Sequence, residues 1–552
     1  MEYTSESKSG FSRRQFIAAL GVGALGVAGS SLVGCAPQPS EAAGDAPATK
    51  KGSSEPAPDE TLQADVCIVG AGPTGLTAAV QAAEDGASVL VIDQDDIVGI
   101  CGHSITAVGT SWQKEHGLDM TPEELVEFWT AYPSPQHDRE MMLFAAQHSA
   151  ESIEWLADHG VDFVGATVPP TNPFQYPPRT LVTSAGRDGG TAYMQPLKAV
   201  ADDLGVAFHY ETMATSLIKD DGGAIVGVEA EGTDGHKVTV NAASVILTTG
   251  GFGSDDVLIR QYAPRTPNVG PLVGGSNGFA IKQAMQVGAE IVMPGGTQAF
   301  FGNADGANPD NAGQGIAVAP NGKRFVNEHL YVLDRSAIAF DEGISMYYQI
   351  YDTSLLDTLF SAVSINSGDS FYAGTKETNG NLDGLEKGIE NGTVFRADTI
   401  EELAAQLGIN AATLKQTVDM YNGYCSQGED ADFGKPPKAM GLVSDPAKEH
   451  DYDPDTVEQE FTLLNPIQEA PFYAVKMTAD SSALTGTQGG VKIDADTRVI
   501  GVDGEPVPNL FAAGEAANGQ LIGYHYPQSG TSLCMCFCFG RYAGANAAAN
   551  AQ

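Results

Sequence analysis

Three glycines, Gly70, Gly72 and Gly75, constrain this chain more than any other feature. They stand as G-x-G-x-x-G within ADVCIVGAGPTGLTAAVQAAEDGASVLVID, residues 64–93. Val66, Ile68 and Val69 form the short apolar run of a buried parallel strand. Gly70 permits a tight turn, Gly72 lets backbone approach a pyrophosphate, and Gly75 lets the following helix pack closely on the strand. Pro73 and Thr74 open that helix, whose N-terminus offers free N–H groups and partial positive charge to phosphates. Val89 to Ile92 make a second strand. Asp93 ends it, placed to accept from a ribose hydroxyl. Strand, turn, helix, strand and acid in this order predict a dinucleotide-binding unit.

Ahead of this unit the chain carries an address. Ser12-Arg13-Arg14-Gln15-Phe16-Ile17 precedes a Gly- and Ala-rich apolar stretch from Ala18 to Val33. Twin arginines before a weakly apolar core resemble a Tat export signal, and Leu32-Val33-Gly34-Cys35 resembles a lipobox. The expectation is a signal over residues 1–35 and a lipid anchor through Cys35 at the outer face of the cytoplasmic membrane. The other reading is an uncleaved membrane anchor, but the apolar run is short and broken by glycines. Residues 36–60, rich in Pro, Ala, Ser, Gly and Glu, read as a flexible tether. A protein that acquires a large cofactor before export suits a route that carries folded proteins.

The chain has 70 acidic and 29 basic residues, a net charge of −41. That charge disfavours nucleic acid as a partner and suits a basic redox protein. Of the seven cysteines, Cys534, Cys536 and Cys538 alternate too tightly for an iron–sulfur set, and there is no C-x-x-C-H for an attached haem. They read as small buried packing residues, and no metal site is expected.

Two later motifs select the dinucleotide. Val245 to Leu247 run into Thr248-Thr249-Gly250-Gly251, a second strand ending in a glycine turn. Asn509-Leu510-Phe511-Ala512-Ala513-Gly514-Glu515 follows near the end, a pattern that closes the flavin site in FAD proteins. With Cys101-Gly102-His103-Ser104, Gly186-Arg187-Asp188-Gly189-Gly190, Gly322-Lys323-Arg324-Phe325-Val326-Asn327-Glu328, Gln488-Gly489-Gly490-Val491 and Phe539-Gly540-Arg541, the chain resembles the flavoprotein family of fumarate reductase and succinate dehydrogenase, in its soluble flavocytochrome-like branch.

The resemblance implies an α/β fold: a Rossmann-like FAD-binding domain in two parts, residues 61–292 and 488–552, with an α+β capping domain inserted over 293–487. It implies FAD contacts from Gly70, Gly72, Pro73, Thr74, Gly75, Asp93, Gly102, His103, Ser104, Gly109, Gly189, Gly190, Thr249, Gly250, Gly251, Gly514, Glu515, Ser529, Gly530, Ser532 and Leu533. His103 falls where the membrane-bound branch bonds its histidine covalently to the flavin. Covalent and non-covalent attachment both stay open.

The substrate end departs from the family. A fumarate-type site holds a dicarboxylate with arginines and histidines, because the substrate is doubly negative. Here the expected histidine element reads Thr485-Gly486-Thr487, the arginine element falls within Tyr526-Pro527-Gln528-Ser529-Gly530, and the proton-donating arginine's position is Val332. Its relay partners fall near Asn308 and Asn311, which carry no titratable proton. Aromatic residues take their place. Tyr526 to Gly530 has the Tyr-Pro-x-x-Gly spacing that resembles 3-ketosteroid dehydrogenases, where the tyrosine hydroxyl and glycine N–H polarise a carbonyl. Tyr331, Tyr526 and Arg335 are the candidate proton donors, with Tyr524, Trp112 and Phe300 as candidate surfaces for the substrate.

The expected activity is reduction of the C=C bond of an α,β-unsaturated carbonyl compound by hydride from FAD. Electrons would come from a separate cytochrome or flavin-bearing membrane partner. Two alternatives stay open: a ketosteroid-type dehydrogenase running the reverse reaction, and a lipid-anchored flavin electron carrier without substrate chemistry.

Overall fold

The computed structural model describes residues 58–95, 104–115, 117, 119–130, 134–167, 181–184, 191–266, 269–271, 275–299, 301–305, 307, 313–330, 332–356, 380–443, 457–479, 484–528 and 530–552. The signal, most of the tether, Gly102, His103, Gly189, Gly190, Phe300, Tyr331 and Ser529 lie outside the described residues.

The principal sheet has the order Arg498–Ile500, Pro506–Ala512, Lys237–Leu247, Glu60–Val69, Val89–Ile92, Ala207–His209. Every neighbouring pair is parallel except the first. Its central strands are continuous apolar runs because both faces are covered: Val66, Cys67, Ile68, Val245, Ile246 and Leu247 are all buried. The strand at Lys237–Leu247 is long enough to serve two neighbours on one side. Its first half pairs with the antiparallel strand Ile225–Gly232, and its second half with Pro506–Ala512. The first strand starts at Glu60, inside the stretch read as tether, because Glu60 and Thr61 already pair with Val238 and Thr239.

Helix Pro73–Glu84 packs on this sheet, and the C-terminal helix Thr531–Ala551 packs on helix Pro73–Glu84. Small residues make that second contact close. A Cβ on Gly540 would lie 2.9 Å from the Thr74 carbonyl oxygen, and one on Gly544 would lie 2.4 Å from that of Ala78. Any side chain there would push the helices apart. Cys534, Cys536 and Cys538 are buried in the same helix. Burial pushes the Cys536 thiol up to about 11 and those of Cys538 and Cys67 up to about 12. They are packing residues, as their spacing implies.

A second, antiparallel sheet runs Ile316–Val318, Met346–Asp352, Phe472–Thr478, Val394–Ala397. Helices Ile400–Leu407 and Ala411–Gln427 cover one of its faces through Leu403, Leu414 and Tyr421, which pack with Ile316, Val318 and Ile350. Two short antiparallel ladders, Ile291–Val292 with Gly490–Val491 and Thr297–Ala299 with Leu484–Thr487, join the segments on either side of this sheet. The architecture is the expected one: a mixed, mostly parallel α/β layer with a separate antiparallel layer.

The Gly322–Glu328 motif organises this second layer through four buried charges. Arg324 donates to both oxygens of Glu328 at 2.9 and 2.8 Å and to both of Asp430 at 3.1 and 2.9 Å. Lys435 stands 3.4 Å from Glu328 and donates to the Gly315 carbonyl at 2.7 Å. Glu328 also accepts the Ala317 N–H at 3.0 Å. Burial alone would raise the Glu328 carboxyl, but Lys435 and Arg324 outweigh it and hold it below its ordinary value.

Glu328→Gln leaves Arg324 and Lys435 short of a buried counter-charge. We expect it to lower the unfolding free energy by about 3–5 kcal/mol in urea denaturation. The folded-state values of Glu328 and Asp430 lie below the ordinary 4.5 and 3.8. Their stabilisation is therefore present above the ordinary range and is lost as pH falls through the depressed values, below about pH 4. Glu328→Gln should flatten that acid limb; an unchanged limb would mean other carboxylates set it.

Candidate active site

The glycine turn is built by steric exclusion. Gly70 has φ +109°, and a Cβ on it would lie 2.5 Å from the Thr248 carbonyl oxygen. A Cβ on Gly75 would lie 1.8 Å from the Gly70 carbonyl oxygen, whereas Gly72 faces open space. Thr248 locks the turn, its hydroxyl donating to the carbonyls of Val69 and Gly70, each at 2.9 Å. Gly72 caps the helix with no side-chain cap, so the first-turn N–H groups remain for an anion. Asp93 closes the other side, accepting the N–H of Ala71 at 2.5 Å and of Asp95 at 2.9 Å.

A second wall comes from the chain's far end. A Cβ on Gly514 would lie 2.2 Å from the Thr74 hydroxyl. Glu515, next in line, accepts both the N–H and the hydroxyl of Thr487, at 2.6 and 2.9 Å. The Thr487 hydroxyl in turn accepts the Phe252 N–H at 3.1 Å. Gly251 makes room for this network, since its Cβ would lie 2.0 Å from the Thr487 hydroxyl and 2.3 Å from Glu515. Burial raises the Glu515 carboxyl, and the hydrogen bonds from Thr487 and Gly251 oppose it. The hydroxyls of Thr249 and Thr531 are buried and have no hydrogen-bond partner within the described structure. Buried orphan hydroxyls beside an open anion-binding turn fit a large polar group such as FAD. Gly70, Gly72, Thr74, Asp93, Thr249, Gly251 and Glu515 would hold it.

The third element is the N-terminus of helix Thr531–Ala551. Gly530, left-handed at φ +82°, caps it without a side chain. Tyr526 is buried, and its hydroxyl accepts the Ser532 N–H at 2.9 Å. Ser532 is held from its side chain by Gln298 at 3.0 Å. Gln528 donates to the Thr106 hydroxyl at 2.6 Å, and the Thr106 N–H donates to the Gly530 carbonyl at 3.1 Å. Strand Ser104–Thr106 is thereby tied to the same corner, with Leu533 buried behind it and Gly109 in a left-handed turn beyond. Tyr526 and Gly530, paired by spacing in the sequence, meet at one helix end.

The fourth element is helix Val332–Asp341, which presents two carboxylates to the Tyr524–Tyr526 loop. Asp334 Oδ1 lies 3.6 Å from His525 Nδ1, and Asp341 accepts the Tyr524 hydroxyl at 2.7 Å. Arg265 pairs with Asp341 and places its guanidinium 5.4 Å from the Tyr524 ring centre. The Tyr524 hydroxyl serves this outer clamp, and its half-buried ring meets the His525 ring edge-on at 5.2 Å. Trp112 is partly buried against the main core. Arg335 is half-buried on the same helix; burial raises the Tyr347 hydroxyl, and the nearby charge of Arg335 opposes it only in part.

Sequence reasoning missed Asp334, Asp341, Thr487, Gln298 and Thr531. The two aspartates stand seven residues apart, a spacing that puts both on one helix face. That was the available signal for the first two.

The family model described as FAD binding domain matches residues 65–533. A urocanate reductase from Eggerthella lenta is 29% identical over 518 residues, spanning 89% of this chain and 75% of that protein. A probable fumarate reductase from Shewanella frigidimarina is 26% identical over 514 residues, spanning 90% and 76%. Among solved structures, a 3-ketosteroid-Δ4-(5α)-dehydrogenase from Rhodococcus jostii, in complex with 4-androstene-3,17-dione, matches with a TM-score of 0.69 at 26% identity, covering 88% of this chain and 97% of that one. The chain therefore belongs to the FAD binding domain family, and it is a fumarate reductase-like, FAD-dependent oxidoreductase acting on CH–CH groups.

Proposed function

We propose that the protein reduces the C=C bond of an α,β-unsaturated carbonyl compound, an enoate or enone with an aromatic or steroid-like body. The carrying observation is the Tyr526 hydroxyl, which accepts the Ser532 N–H at 2.9 Å beside the Gly530 cap. A hydroxyl that accepts from a backbone amide at a helix N-terminus becomes a stronger donor. That hydroxyl would polarise the substrate's carbonyl oxygen, where the helix end also favours the negative charge that develops. FAD, when bound, supplies the hydride. Arg335 or Tyr331 supplies a proton to the neighbouring carbon. The reverse reaction, a ketosteroid-type dehydrogenation, has one specific support: the similarity to the 3-ketosteroid dehydrogenase.

Arginine and histidine pairs suited to a dicarboxylate are missing from the matching positions. This favours a substrate with one carbonyl or carboxylate over fumarate. We also propose export through the twin-arginine leader and a lipid anchor on Cys35. The anchor would hold the enzyme in one plane with a separate electron donor and raise their effective concentration.

Purified protein, reduced with dithionite and mixed with a panel of enoates, enones and steroids, should be reoxidised rapidly by at least one compound. Tyr526→Phe should slow that step by about 10²–10³-fold while FAD stays bound. Silence across the panel, with fast electron exchange to a cytochrome, would establish a carrier instead. Cys35→Ala should move the protein from the membrane to the soluble fraction of fractionated cells; retention in the membrane would refute the lipid anchor.

A further inference from the structure

We infer that Gln488 is a positioning residue for Tyr526, holding the Tyr524–Tyr526 loop through the carbonyl of Tyr524. The inference rests on the reductase reading above, in which the Tyr526 hydroxyl polarises a carbonyl. Gln488 is fully buried, and neither polar atom of its carboxamide has a hydrogen-bond partner within the described structure. Among the described residues no other carboxamide has both ends so placed. A buried amide with both ends idle is costly, the N–H end above all, and calls for a reason.

The main chain around Gln488 is held at three points. Its own N–H donates to the Gly296 carbonyl at 3.0 Å. Asn518 takes the peptides on either side, donating to the Thr487 carbonyl at 2.9 Å and accepting the Gly489 N–H at 2.8 Å. So fixed, the Gln488 carboxamide lies over Gly296, beside the Tyr524 carbonyl. A Cβ on Gly296 would stand 1.6 Å from Gln488 Oε1 and 2.1 Å from the Tyr524 carbonyl oxygen. The missing Cβ is what lets the two groups meet. Two acceptor oxygens that face each other gain nothing. Half a turn about the last side-chain bond puts Nε2 in the same space, where it donates to the Tyr524 carbonyl.

Tyr526 is then held at both ends by one ladder. Strand Thr297–Ala299 carries Gln298, which donates to the Ser532 hydroxyl at 3.0 Å, and the Ser532 N–H donates to the Tyr526 hydroxyl at 2.9 Å. The partner strand, Leu484–Thr487, runs directly into Gln488, at the main-chain end of the loop. Carboxamides suit this task because they grip a peptide without bringing charge into a dry site. Asp341 holds the Tyr524 side chain near solvent, whereas Gln488 holds its main chain, which fixes where Tyr526 begins.

The test compares two oxidations of the reduced, FAD-loaded enzyme: by a compound that the wild type accepts, and by ferricyanide, which needs no carbonyl donor. Gln488→Met keeps the side chain's length and removes its hydrogen bonds. It should slow oxidation by the substrate about tenfold, as a misplaced group does, and leave FAD content and the ferricyanide rate unchanged. Gly296→Ala, which drives a methyl group between the carboxamide and the Tyr524 carbonyl, should do the same. In a Tyr526→Phe background Gln488→Met should cost nothing further, because the hydroxyl it positions is gone. Slowing that multiplies with that of Tyr526→Phe would mean that Gln488 acts elsewhere and would overturn the inference. So would an unchanged substrate rate, an equal loss with ferricyanide, or loss of FAD from both variants, which would make Gln488 a support of the fold alone. A wild type that no compound reoxidises would refute the reductase reading, and the inference with it.

Discussion

Backbone approach around Thr74 is the constraint on which the site depends. Gly514 and Gly540, both from the last forty residues or so of the chain, come so close to this one residue that neither position can carry a Cβ without displacing it. Thr74 lies inside the glycine turn, so the same crowding sets three things at once. It seats the C-terminal helix on the first helix. It brings Glu515 to Thr487 and Gly251. It aims the Gly530 end of the helix, with Tyr526, at the space beyond. Bulk at any of these glycines would separate the glycine turn from the Tyr526–Gly530 corner.

The second layer answers to a different force. Its order comes from charge held in a dry interior. Arg324, Glu328, Asp430 and Lys435 satisfy one another and the carbonyl of Gly315, and Glu328 also takes an amide of the neighbouring strand. Glu328 stands four residues before helix Val332–Asp341. The cluster thus anchors the origin of the helix that delivers Asp334 and Arg335 to the Tyr524–Tyr526 loop. Desolvated pairs of this kind tolerate no half-measures: complete, they fix one arrangement; missing one member, they leave a buried charge.

What could be read from the sequence follows from locality. The glycine turn, the two strands around it and Asp93 are within thirty or so residues, and sterics alone dictate their shape. Tyr526 and Gly530 were legible for the same reason. The partners of that corner were not. Thr487 meets Glu515, Gln298 meets Ser532, and Asp334 meets His525 only because separate segments converge. Aspartates on an ordinary amphipathic helix read as solvated charges until the loop they face is known. The bond from Tyr524 to Asp341 was hidden for the same reason, since the two residues lie 183 positions apart.

The buried cysteines carry a consequence for the chemistry. An α,β-unsaturated carbonyl compound is an electrophile, and activating it toward hydride also activates it toward sulfur. Thiolates, not thiols, add to such alkenes. Cys534, Cys536 and Cys538 sit in the helix that begins at the Tyr526–Gly530 corner, yet burial raises all three thiols well above their ordinary range. They stay protonated and buried, with Thr74 against Cys536. Under the proposed activity, a Michael acceptor would be held a few residues from three sulfurs that do not add to it.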